Sequence, residues 1–378
     1  MQINVSSTSE AQPATLTEIY NQARSSQETV ERHPARSKVF ERFLPLEAHT
    51  DIILTGCGSS YNLSRCAAFA WSALIGRPVS AVPSSELMNF PERYLNADAH
   101  PLVIAISRTG GTTEVELAVE RLRAGYGAAT LAITGHSDTS IAKICDDEVA
   151  FDECPEESVV MTQAFTCMLL GLYLLADEVT GKRFKTGLEA IPVLIGNALS
   201  RSEGVARALV ERVDDGGNAQ RAEDASGSAR ITHFFFLGSG AMKGLADEGA
   251  LKMTEMALTA ANSYGLLEFR HGPKAALDPE ALVVAFPSSP EGPYLDTLLG
   301  EVEATGSRML LVGDPRQLET PVPREGLQSI DLDTELPDCF RPALYAHVTH
   351  LMAYFRARSL EINPDFPRHL ARTVFLGV

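Results

Sequence analysis

Asp51-Ile-Ile-Leu-Thr-Gly-Cys-Gly-Ser-Ser60 is a short apolar run that stops on glycine and serine, and the stretch after it, Tyr61 to Leu74, has helical spacing. An unbroken apolar run of this length reads as a strand buried on both faces, and the Gly-Ser segment as its turn into a helix. The pattern recurs. Leu102-Val-Ile-Ala-Ile-Ser107 runs into Arg108-Thr109-Gly110-Gly111-Thr112-Thr113 and a helical stretch from Glu114 to Ala124, and Ala129-Thr-Leu-Ala-Ile-Thr-Gly135 follows. Such strands alternating with helices specify a parallel sheet covered on both faces.

The same series returns in order as Thr232-His-Phe-Phe-Phe-Leu-Gly-Ser-Gly240, Leu282-Val-Val-Ala-Phe-Pro-Ser-Ser289 and Arg308-Met-Leu-Leu-Val-Gly313. Gly56 and Gly238 lie 182 positions apart, Ser107 and Ser288 181, and Gly135 and Gly313 178. One offset shared by three landmarks predicts an internal duplication. The expected fold is therefore α/β, with two tandem doubly wound parallel-sheet domains, each a three-layer α/β/α sandwich. The expected boundaries are a leader and helix over 1–35 and a first domain over 36–182, then a linker helix over 183–228, a second domain over 229–357 and a tail over 358–378. Residues 16 to 42, polar with helical spacing, read as one leading helix or two.

The 378 residues suit two domains of common size. With 45% hydrophobic and 21% charged residues the chain can fill a core, which excludes a disordered or fibrous protein. Thirty-two basic against 49 acidic residues give a net charge of −17, which argues against a nucleic-acid or anionic-membrane surface. Six cysteines without a CxxC pair read as reduced core residues, not as disulfides or a zinc site. The polar start lacks a signal-peptide pattern, and the apolar stretch from Phe165 to Ala176 is too short to span a bilayer. A soluble, cytoplasmic protein is the expectation.

In the first copy both strand ends carry glycine with hydroxyl residues: Gly58-Ser59-Ser60, and Ser107 with Thr109, Gly110, Thr112 and Thr113. Glycine lets backbone approach a ligand, helix-start N–H groups point outward, and hydroxyls donate without charge, so a net-acidic chain can still hold a phosphate dianion. Either loop alone could simply cap a helix; two at equivalent strand ends favour one anion site. The second copy has fewer hydroxyls and an acid, Glu291, and is expected to keep the fold without the phosphate site.

Leu245-Ala-Asp-Glu248-Gly-Ala-Leu-Lys252-Met-Thr-Glu255 carries three charges on an apolar helix. At about 100° per residue Lys252 lies near +40° and Glu255 near −20° from Glu248, so the three share one face. Such a stripe is most often a solvated surface. His271, immediately before Gly-Pro, stands 16 residues after Glu255 and offers a group that exchanges protons near neutral pH. Together they suggest acid–base chemistry. His347 and His350, three apart on an apolar helix, lack an evident third ligand and read as core residues, so no metal is expected.

The chain resembles the sugar isomerase (SIS) domain family, with two flavodoxin-like SIS domains in tandem. This family includes the isomerase half of glucosamine-6-phosphate synthase and the glucosamine- and galactosamine-6-phosphate isomerase/deaminases. The resemblance spans residues 16–378 and rests on Gly-Cys-Gly-Ser-Ser-Tyr-Asn62, Ser-Arg-Thr-Gly-Gly-Thr112, Met-Thr-Gln-Ala-Phe-Thr166, Glu-Gly-Ala-Leu-Lys-x-x-Glu255, Phe-Arg-His-Gly-Pro-Lys274 and Asn-Pro-Asp-x-Pro-Arg368. It implies that Gly58, Ser59, Ser60, Ser107, Arg108, Thr109, Gly110, Thr112, Val159 and Arg372 bind a phosphosugar, with no cofactor. It implies Glu255 as the base shuttling a proton between C1 and C2 through an enediol or enolamine, His271 as the ring-opening residue donated across a homodimer interface, and Glu248 and Lys252 as their supports. The tail closes over the site in the family.

The sequence departs from the family at Gln163 and Arg372, where the synthase has lysines, and at Gly111, where an acidic or amide residue is usual. Arginine stays protonated and cannot readily form a Schiff base. No glutaminase domain or N-terminal cysteine precedes the leader, so glutamine-derived ammonia is not expected. The expected function is aldose–ketose isomerisation, with deamination, of an amino-sugar 6-phosphate. The alternatives are a deglycase of an amine-substituted ketose 6-phosphate and a regulatory SIS protein that senses a sugar phosphate without turning it over.

Overall fold

A computed structural model describes residues 12–210, 231–313, 324–332 and 334–376. Parts of the expected leader (1–11) and linker (211–228) lie outside the described residues. The leading segment is one helix, α1 (Ala14–Phe40), which accommodates Pro34 in its interior. Pro13 offers no side-chain cap; instead the Asp365 carboxylate accepts hydrogen bonds from the N–H groups of Ala14 (2.9 Å) and Thr15 (2.8 Å), pinning the tail to this helix.

The expected strands are present as β1 (Ile52–Gly56), β3 (Leu102–Ser107) and β4 (Ala129–Thr134). Two short ones, β2 (Ser80–Pro83) and β5 (Asp147–Ala150), flank them, giving a parallel sheet in the order 2-1-3-4-5. The helices of this half are α2 (Ser59–Ile75), α3 (Ser84–Asn89), α4 (Thr113–Tyr126), α5 (Ser140–Ile144), α6 (Gln163–Val179) and α7 (Lys185–Val210). The second half repeats the order 2-1-3-4-5 with β6 (His233–Gly238), β7 (Ala261–Tyr264), β8 (Ala281–Phe286), β9 (Arg308–Val312) and β10 (Leu327–Ile330). Its helices are α8 (Ala241–Ala257), α9 (Gly292–Glu303) and α10 (Arg341–Ser359). Even the register repeats, since Ile53 pairs with Val103 in the first sheet and Phe235 with Val283 in the second.

Alternate residues of each strand serve different cores, as pleating requires. Ile52, Leu54, Ile104, Phe234, Phe236 and Val284 face one continuous core shared by both halves and filled by α1, α2, α6, α7, α8 and α10. Ile53 and Val103 pack outward with α3 and α4, and Phe235 and Val283 with α9. The apolar stretch from Phe165 to Ala176 lies wholly buried in α6, and among the described residues no helix is long and apolar enough to cross a membrane. At the centre α2 crosses α8 so closely that a Cβ on Gly244 would sit 2.6 Å from the Asn62 carbonyl oxygen. That approach sets the site.

Candidate active site

The chain leaves β1 through Gly58 (φ 54°, ψ −126°) to start α2, and leaves β6 through Gly240 (φ 57°, ψ −129°) to start α8. Only glycine adopts this region without strain, so the two turns are the duplication written in dihedral angles. After β3, Ser107 Oγ accepts a hydrogen bond from the Gly110 N–H (3.1 Å) and lies 3.1 Å from Thr112 Oγ1. Gly58, Ser59, Ser60, Ser107, Thr109 and Thr112 then line one cavity of about 210 Å³ beyond the strand ends. This is where ligands bind in open parallel sheets. Gly110 turns the loop with φ 61° but does not itself line the cavity.

Lys252 and Glu255 line the same cavity from α8. The stripe is therefore not a solvated face. The Lys252 ammonium bonds Glu255 Oε2 and lies 3.4 Å from Glu248 Oε1. Glu248 is fully buried one turn behind them, and its Oε2 accepts a hydrogen bond from the Asn62 side-chain amide at 2.9 Å. Burial lifts the Glu248 carboxyl above its ordinary range, opposed by Lys252. Burial also pushes the Lys252 ammonium down, but the Glu248 and Glu255 carboxylates together outweigh it, and the pKa of Lys252 is raised. The lysine stays charged. Glu255, with 22% of its side chain exposed, is the carboxylate that a cavity ligand can reach.

The remaining predicted residues are placed as follows. Arg108 borders the cavity, but its guanidinium pairs with Glu156 (2.9 Å) and donates to the carbonyls of Val159 (2.8 Å) and Val160 (3.1 Å). It thus holds the loop carrying Val159 against the cavity. Arg372 reaches the cavity from the tail, whose Val374 carbonyl accepts from the Thr113 N–H at 3.5 Å. His271 is exposed after β7 and does not line the cavity of its own chain. Gln163 is buried away from the cavity, where its side-chain oxygen accepts from Ser25 Oγ at 2.8 Å.

In the second copy the Glu291 carboxylate caps its own loop, accepting from Ser288 Oγ at 2.6 Å, so a negative charge stands where the first copy has hydroxyls. His347 and His350 are fully buried, and among the described residues no group of three or more His, Cys, Asp or Glu is arranged to hold a metal. Burial depresses His347 to about 4.

Sequence reasoning did not assign roles to Asn62, Glu114 or Glu156. Asn62 was visible inside the first loop motif, but its partner Glu248 is 186 residues away. Glu114 looked like an ordinary first-turn acid of α4, yet it lines the cavity. Glu156 sits in an irregular segment without periodicity.

Several known proteins are similar to this chain. The glucosamine-6-phosphate deaminase of Thermotoga maritima superimposes with a TM-score of 0.74 at 29% identity, over 96% of this chain and all of that one. Tagatose-6-phosphate ketose/aldose isomerase from Escherichia coli does so with a TM-score of 0.76 at 26% identity, over 93% of this chain and 94% of that one. The glutamine–fructose-6-phosphate aminotransferase (isomerizing) of Methanothermobacter thermautotrophicus is 29% identical over 327 residues, 85% of this chain. The chain spans about half the length of that curated relative, 51% of it. The SIS domain description matches residues 46–177 and 229–326, one stretch in each copy of the repeat, and by that double match the chain belongs to the SIS domain family.

Proposed function

We propose that this protein is a phosphosugar aldose–ketose isomerase that also deaminates, acting on a 2-amino-2-deoxyhexose 6-phosphate. The observation that carries the reading is the convergence of Glu255 and Lys252 with two hydroxyl-lined loops in one small cavity. The loops take the phosphate through neutral donors and helix-start N–H groups. The Glu255 carboxylate removes the C2 proton of the open-chain aldose, giving an enolamine, and returns it to C1. The resulting C2 imine takes up water and releases ammonia, leaving a ketose phosphate. Lys252 supplies a fixed positive charge beside the developing oxyanion, and Asn62 and Glu248 hold Lys252 in place. Ring opening falls to His271 of a second copy in a homodimer, which suits a histidine exposed and outside its own chain's cavity.

The test is incubation with glucosamine and galactosamine 6-phosphates while following ammonia and ketose phosphate. Turnover that vanishes in Glu255→Gln is expected. No turnover of either substrate, or a Glu255→Gln variant as active as wild type, sinks the proposal.

A further inference from the structure

We infer that Glu114 reads the charge of the substrate, selecting a protonated amino group over a hydroxyl. The inference rests on the phosphosugar reading above and deepens it. Among the charged side chains around the cavity, Arg108 is held by Glu156 and Lys252 by Glu255. Glu114 and Arg372 also line it, and among the described residues neither makes an ion pair or hydrogen bond. They carry opposite charges.

Glu114 Oε2 is buried, and no donor reaches it. A carboxylate oxygen in that position is costly unless a donor arrives, and an ionised carboxylate only accepts. The neighbouring Cys57 is a weak donor at best, its thiol pushed to about 11 by burial and by the Glu114 charge. A ligand in the cavity can supply the missing donor. A neutral hydroxyl would satisfy the hydrogen bond alone, whereas an ammonium satisfies both the bond and the charge. A cavity with anion-type loops and an unpaired carboxylate therefore suits a ligand with an anionic and a cationic end. An amino-sugar phosphate has both; a neutral hexose phosphate has one.

Two unreactive alditols isolate the effect: 2-amino-2-deoxyglucitol 6-phosphate and glucitol 6-phosphate differ only in that group. Calorimetric titration near neutral pH should show the wild-type protein binding the amino compound about tenfold more tightly. Glu114→Gln, nearly isosteric, should bring the two affinities within about twofold by weakening the amino compound alone. Glu114→Ala is read the same way should the first variant not fold. No preference in the wild type, a preference that survives in the variant, or an equal loss for both ligands overturns the assignment and leaves the phosphosugar reading standing. Failure of the wild type to bind either compound removes that reading and this inference together.

Discussion

Gly244→Ala tests the close approach of α2 and α8 on which the cavity depends. The added methyl would lie 2.5 Å from Cys66 Sγ, 2.6 Å from Asn62 O and 2.9 Å from Cys66 N. Each distance is about 1 Å inside ordinary van der Waals contact. Two of the three atoms are backbone of α2, so no rotamer change relieves them and the helices must separate. Overpacking of this kind costs about 1–3 kcal/mol, and the better helix propensity of alanine offsets about 1 kcal/mol. The expected net effect is a loss of about 1 kcal/mol. Gly204 in α7 is the control, because nothing lies within 4 Å of a Cβ there. Gly204→Ala should therefore show the propensity effect alone, a gain of about 0.5–1 kcal/mol. Urea unfolding followed by circular dichroism reads both variants. Calorimetry with glucosamine 6-phosphate should show weaker binding only for Gly244→Ala, because Ser59 and Ser60 ride on one helix and Lys252 and Glu255 on the other. Equal stabilisation of both variants with unchanged binding refutes the reasoning.

Lys252→Met leaves Glu248 buried without its cation and should cost about 3–5 kcal/mol near pH 8. The raised folded pKa of Glu248 sets the sign: protonation favours the fold, so the penalty of the lost cation should be smallest below the ordinary value of 4.5 and grow as pH rises through the folded pKa. Urea midpoints closer to wild type at about pH 5 than at pH 8 are expected, and the reverse order contradicts the assignment. In the wild type, the raised pKa of Lys252 keeps its stabilising charge throughout the neutral range, to be lost only in strong alkali. Glu255→Gln should lower kcat by about 10²–10⁴ while the affinity for an unreactive substrate analogue holds. Asp365→Ala removes the acceptor for Ala14 and Thr15 at the start of α1, and should cost about 1–2 kcal/mol. It should also free the tail, read as faster proteolysis within residues 365–376 and a higher KM.

The strands that sequence reasoning found are those buried on both faces: β1, β3 and β4 with their counterparts β6, β8 and β9. The four it missed are short, and segments such as Asn262-Ser263-Tyr264 are too polar to announce a strand. They exist because a neighbouring strand offers them a ladder, which is a tertiary cause. The same division runs through the candidate site. Ser59, Ser60, Ser107 and Thr112 could be named because glycine and hydroxyl residues at strand ends carry a local signature. Glu114 could not, since an acid in a first helical turn is ordinary until a cavity forms around it.

By itself the sequence determined the repeat and the class of fold, because local periodicity and turn chemistry are properties of neighbouring residues. Only the tertiary structure decided that Glu248 and Lys252 leave solvent while Glu255 lines a cavity, that Asn62 meets Glu248 and that Arg108 turns to Glu156. Spacing puts three charges on one face of a helix but cannot say what that face meets. The packing of α2 against α8 through Gly244 supplies the answer, and by excluding water it makes a surface pattern into a buried charge network.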